Sequence, residues 1–153
     1  MSEQQTTFDK RHIGHAFPEF SVVVEKSRLR FFAQVTGQTD AIYLDESAAT
    51  TAGYASLPVP PTFLFCLEME GPDPDAIFRL LGVDNRHLLH AEQEFVYHAI
   101  LCAGDRLTFE QRIDDIYDKK DGALQFVVRK TRVTNAQRDL VAELRNVIVM
   151  VNT

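Results

Sequence analysis

The sequence predicts an α+β domain in which one long, curved antiparallel sheet wraps a single apolar helix. Three observations predict it. Residues 92–151 hold four stretches rich in β-branched and aromatic side chains, three of them longer than ten residues. Residues 62–69 (Thr-Phe-Leu-Phe-Cys-Leu-Glu-Met) show no polar face before Glu68, the mark of a helix buried on most sides. Helical patterns fill the first half and strand patterns the second, an order that argues against alternating βαβ units.

The elements follow in chain order. Phe20, Val22 and Val24 alternate with Ser21 and Val23, a short strand. Residues 25–35 read as a helix with Leu29, Phe32 and Ala33 on one face, and Gly37 ends it. Asp45 is placed to cap a short helix over 46–51 that Gly53 closes. The run Leu57-Pro58-Val59-Pro60-Pro61 must be extended, because proline restricts itself and the residue before it, and Pro61 suits the first position of the apolar helix. A further short helix is expected over 74–81. Strands are expected over 92–101, 106–117, 124–134 and 140–151, with a hairpin at Asp121-Gly122 and a longer turn over 135–139.

Composition bounds the function. The 153 residues suit one domain, assigned to 13–153 after a flexible N-terminus over 1–12. Hydrophobic residues at 45% and charged residues at 25% make a globular chain, and 11 Phe with no Trp leave phenylalanine to fill much of the core. A net charge of −6 argues against a nucleic-acid partner, while a local basic patch (Arg28, Arg30, Arg129 and Arg132 are candidates) could still meet the phosphates of one cofactor. Cys66 and Cys102 form no CxxC and read as reduced, buried thiols. The polar start over 1–10 has no signal-peptide core and no apolar run reaches the ~20 residues of a membrane span, so a cytoplasmic location is expected, with no membrane partner. His87 and His90 lie three apart with no further ligand nearby, so no metal is expected.

The segment Phe31-Phe32-Ala33-Gln34-Val35-Thr36-Gly37-Gln38-Thr39-Asp40-Ala41-Ile42-Tyr43-Leu44-Asp45, with Ala48 and Ala49 after it, resembles the hydratase motif of MaoC-like acyl dehydratases, Phe-Ala-x-x-Ser/Thr-Gly-Asp-x-Asn-Pro-Ile/Leu-His. Val59-Pro60-Pro61-Thr62-Phe63 is similar to that family's lead into its central helix. The run from His90 to His98, then Ala103-Gly104-Asp105-Arg106-Leu107, is similar to its first long strand. The match is nearest to the N-terminal half of two-domain members and to non-catalytic subunits of heteromeric ones. The resemblance implies a hot-dog fold and an acyl thioester, of coenzyme A or of an acyl carrier protein, as ligand in fatty acid metabolism, with no other cofactor. It also implies that Gln38 stands where the family has its catalytic Asp, and Tyr43 where it has its His. An amide takes no proton at neutral pH, and a phenol with a pKa near ~10 is a poor base there. The family's thioester carbonyl meets a backbone N–H at the start of the central helix. Pro60 and Pro61 have none to give, whereas Thr62 and Phe63 do.

Several roles stay open at this point. Asp40 is either a displaced base or a turn cap, and His90 and His98 either shuttle protons or are ordinary strand histidines. His12 and His15 read as tail residues. Phe63 is a candidate pocket wall, and Pro61 and Asp40 are candidates for substrate contact. The acidic group Asp114, Asp115, Asp118 and Asp121 reads as a solvated hairpin end. The leading expectation is a binding subunit of a 3-hydroxyacyl dehydratase or enoyl hydratase, paired with a catalytic hot-dog chain. The alternatives are a stand-alone hydratase or thioesterase using Asp40 and His90, and a homodimer that holds acyl-CoA without turnover. All of them need a dimer, because an open sheet exposes an edge that a partner must cover.

Overall fold

The computed structural model describes residues 7–152. Five strands form one antiparallel sheet in the order β1-β3-β4-β5-β2: β1 is Phe20–Val23, β2 Leu88–Tyr97, β3 Arg106–Lys119, β4 Leu124–Thr134 and β5 Leu140–Val151. The helices are α1 (Lys26–Val35), α2 (Glu46–Thr51), α3 (Phe63–Glu68) and α4 (Ala76–Leu81). The strand alternation carries through to burial. In β4, Val127, Arg129, Thr131 and Val133 share the face that packs on the helices. Register shifts that leave Ala91, Asp114 and Val141 unpaired add local bends to β2, β3 and β5, strands of 10, 14 and 12 residues.

The helix α3 lies on this inner face. Phe63, Leu64 and Leu67 are buried among Leu107, Phe109, Val133, Val141, Ala142 and Leu144. Leu64 and Leu67 are wholly withdrawn from water, and each such side chain contributes about 2 kcal/mol of transfer free energy. A second apolar cluster, with Ile77 and Leu81 of α4 on Ile113, Ile116, Val127 and Ile148, lies farther along the sheet. Between the two lie polar side chains in two groups: Glu68 bonded to Gln111 and Thr131 and paired with Arg129, and Asn146 bonded to Gln93. This is the hot-dog arrangement.

Local rules set most of the boundaries. Asp45 Oδ1 accepts from the Ala48 N–H at 2.9 Å and caps α2 as its side chain predicts. Gly37, at φ 74°, ends α1 while the Gln38 N–H returns to the Ala33 carbonyl at 2.8 Å. The extended proline run pairs with the connection between β2 and β3: the Val59 N–H meets Leu101 O at 2.8 Å, and the Ala103 N–H meets Leu57 O at 2.9 Å.

Other expectations change. The strand expected over 92–101 is β2, Leu88–Tyr97, displaced because its register is dictated by β5 up to Met150. The helix expected from Pro61 begins at Phe63 with Thr62 as its cap, and the one expected from Pro74 begins at Ala76. Of the flexible N-terminus expected over 1–12, residues 1–6 lie outside the described residues. The rest packs: Phe8 is buried in the second cluster and Asp9 caps a 3₁₀ turn over Lys10–His12. His15 is no tail residue either, since its backbone joins that of Ile113 at 2.9 Å and its ring meets Phe17 edge-on. Asp114 and Asp115 occupy the β3 bulge rather than a hairpin end, and Asp114 pairs with Lys130 at 2.8 Å. Arg129, read as a surface charge, is buried against Glu68.

Candidate functional site

The loop after α1, the start of α3 and the end of β2 converge. In that loop Gln38 Oε1 accepts from the Asp40 N–H at 3.0 Å, and Asp40 Oδ1 accepts from the Ile42 N–H at 3.2 Å, capping a 3₁₀ turn over Ala41–Tyr43. Gln38 and Asp40 thus spend acceptors on the loop's own backbone. Tyr43 closes that turn, and its ring is half-buried. Burial foremost, then the neighbouring Tyr54 and Asp40, pushes its phenol above the ordinary value.

Tyr97, the last residue of β2, reaches across to α3 and donates its hydroxyl to the Pro61 carbonyl. Burial foremost, then Tyr43, pushes its phenol up to about 12. Tyr97 was not singled out from sequence. Its position at a strand end next to His98 gave no local signal, and only the fold brings it to Pro61. The Phe63 N–H is committed to Pro60 O at 2.9 Å, whereas the Thr62 N–H meets no acceptor among the described residues. Thr62 and Pro61 are exposed. Phe63 is not: it is 3% accessible, lies edge-on to Phe32 at 5.2 Å, and carries Arg28 over its ring at 5.5 Å. That ring belongs to the core, and Thr62 and Pro61 are what this corner offers to a ligand.

Asp40 and His90 do not meet within one chain. His90 faces Phe65 at 5.1 Å and its Nε2 lies 2.7 Å from Asn146 Nδ2. It is seven residues along β2 from Tyr97, a span of about 20 Å at strand rise. His98 pairs with Glu143 at 2.8 Å. The arginines considered for phosphate contact also have partners: Arg28 pairs with Glu70, Arg30 donates to Leu44 O at 3.1 Å, and Arg132 lies 3.6 Å from Glu110. Among the described residues no His, Cys, Asp or Glu group is arranged to hold a metal. Cys66 is half-buried, Cys102 is buried, and both are free thiols. Among the described residues no helix is long and apolar enough to cross a membrane.

A family model described as FAS1-like, dehydratase domain region, matches residues 11–144. The chain belongs to this family. A UPF0336 protein of Saccharopolyspora erythraea is 30% identical over 142 residues, which span 92% of this chain and 90% of that one. Among solved structures, the C-terminally truncated HadBC (3R-hydroxyacyl-ACP dehydratase) complex of Mycobacterium tuberculosis superposes with a TM-score of 0.78 at 25% identity, over 90% of this chain and 96% of that chain. A MaoC-like dehydratase superposes with a TM-score of 0.80 at 21% identity, over 93% of this chain but 43% of the other. The MaoC-like resemblance and the hot-dog fold therefore hold for this family member.

Proposed function

We propose that this chain is the acyl-thioester-binding subunit of a 3-hydroxyacyl dehydratase or enoyl hydratase, and that a second hot-dog chain supplies the proton-transfer pair. Adding water across the double bond of an enoyl thioester, or removing it, needs one group to move a proton at the α-carbon and another at the β-oxygen. Donors must also meet the thioester oxygen as it gains charge. The observation that carries the reading is the loop over 38–43. The motif resemblance puts Gln38 and Tyr43 where a carboxylate and an imidazole are needed. The amide is held by the Asp40 backbone, and the phenol is driven away from neutral titration by burial. Asp40 caps its own turn and His90 lies far along β2, which weighs against a relocated pair inside one chain. The Thr62 N–H remains available to a carbonyl oxygen. The likeness to the HadBC complex supports a paired assembly, in which this chain shapes the acyl site and braces its catalytic partner.

The test is hydration of crotonyl-CoA by the purified chain alone and by the chain co-purified with a hot-dog partner carrying the intact Asp and His. The expected result is turnover only in the pair. Brisk turnover by the chain alone, abolished by Asp40→Asn, would overturn the reading in favour of a stand-alone enzyme.

A further inference from the structure

The turn that leads into α3 is held from one side by β2. Residues Pro60, Pro61, Thr62 and Phe63 close a β-turn through the Phe63 N–H and Pro60 O at 2.9 Å, and Thr62, at φ −103° and ψ −2°, makes it type I. The middle peptide of this turn joins Pro61 to Thr62 and carries two polar groups. Its carbonyl accepts the Tyr97 hydroxyl, and its N–H is the Thr62 donor that meets no acceptor among the described residues. In a trans peptide these two groups point in opposite directions. Tyr97 therefore grips the plane from behind and leaves the N–H free on the far side.

Tyr97 is itself firmly placed. It pairs with Ala142 of β5, the N–H groups of His98 and Ala99 after it meet Val141 O at 2.9 and 3.3 Å, and its ring stacks on Phe95 at 6.4 Å. From there its hydroxyl does two things. It fixes the orientation of the turn's middle peptide: the type II alternative turns that plane over and requires a positive φ at Thr62, which a β-branched residue also resists. It polarises the same peptide, because hydrogen bonds in a chain strengthen one another, and an amide bonded at its oxygen donates more strongly from its nitrogen. Burial holds the phenol proton in place, with its pKa pushed up to about 12, so this donor persists throughout the neutral range. The free donor is one peptide N–H, and the six-residue α3 adds no helix-end site of its own.

We propose that Tyr97 is a positioning residue of the acyl site: its hydroxyl orients and polarises the Pro61–Thr62 peptide, so that the Thr62 N–H is preset to receive the thioester oxygen. This rests on the thioester reading above and adds to it a residue from the edge strand, remote in sequence from both the loop over 38–43 and the entry to α3.

The test uses the full chain co-purified with a hot-dog partner carrying the intact Asp and His, isotope-labelled in this chain alone, and follows the Thr62 amide by NMR. Butyryl-CoA is the probe, a saturated thioester that cannot be hydrated. Tyr97 is replaced by Phe, which keeps the ring and removes the hydroxyl, and by 3-fluorotyrosine, whose more acidic hydroxyl donates more strongly. Without ligand, the Thr62 proton is expected to move upfield in Tyr97→Phe and downfield with 3-fluorotyrosine, a graded response that a ring serving only to fill space would not give. Butyryl-CoA should move the Thr62 proton downfield in the unsubstituted pair and bind about two- to ten-fold more weakly to Tyr97→Phe, the value of one neutral hydrogen bond. The 3-fluorotyrosine chain keeps the hydroxyl, so it decides the response even if Tyr97→Phe fails to fold. If butyryl-CoA leaves Thr62 unmoved in the unsubstituted pair, the thioester reading at this corner fails and the role of Tyr97 falls with it. If butyryl-CoA moves Thr62 there, but neither replacement changes the Thr62 resonance or the affinity, the thioester reading stands and the positioning role is refuted.

Discussion

Replacing Arg129 by Met should destabilise this protein far more than a typical strand substitution. Among the described residues the guanidinium is the cation paired with the Glu68 carboxylate, whose side chain is withdrawn from the surface and would keep Gln111 and Thr131 as its donors. Removing one member of a buried pair costs about 3–5 kcal/mol, because the other charge is left uncompensated. The 3.5 Å separation and the two remaining donors put this case at the lower end, about 3 kcal/mol. For a chain of this length that is a fall in Tm of roughly 6–12 °C. Glu68→Met should cost a similar amount by stranding Arg129. The double variant removes both charges and leaves two thioethers of similar bulk, so it should lose about 1 kcal/mol or less. Urea unfolding of the four proteins, followed by circular dichroism, gives the coupling directly. A single substitution that costs under about 1 kcal/mol, or a double variant that loses the sum of the two singles, would refute the claim that this pair is an interdependent buried unit.

Other consequences are direct. Leu64→Ala, at a position with no exposure in the first turn of α3, should cost about 3 kcal/mol in urea unfolding, whereas the exposed Phe31→Ala should cost under about 0.5. Tyr97 is raised to about 12 in the folded chain against an unfolded value near ~10, so folding holds its proton more tightly. Its contribution to stability is full below about pH 10 and is lost as pH rises toward 12; spectrophotometric titration should show a late phenol near 12 that Tyr97→Phe removes, while the raised Tyr43 phenol stays. Asp84 is held at about 2, first by its side-chain hydrogen bond from Arg86 and then by the Arg86 backbone N–H. Arg86→Ala should move its NMR titration midpoint upward toward the ordinary carboxylate range, and an unmoved midpoint would discount that contact.

Pattern and local chemistry made much of this fold legible. The bounds of β4 and β5 follow from runs of β-branched residues, and those of α2 from its Asp45 cap. These are nearest-neighbour effects, so the sequence states them openly. The start of β2 was not legible, because Leu88 and Leu89 become strand only by pairing with Met150 and Val149. The candidate site was read in part. The loop over 38–43 and the entry to α3 carry the motif resemblance, while Tyr97 and the commitment of the Phe63 N–H depend on contacts remote in sequence.

The amino-acid order by itself determined the succession of helices and strands, the buried character of residues 63–67 and the presence of an amide at Gln38 and a phenol at Tyr43 in the loop after α1. All three are properties of side chains and their spacing along the chain. Only the tertiary structure decided that Arg129 and Glu68 face each other in the interior. The inward parity of Arg129 between Val127 and Val133 was a signal in the strand pattern, but a lone arginine in a strand pattern is ordinarily a surface residue. Its burial needs a partner 61 positions away in sequence, on a helix whose contact with β4 no local rule specifies.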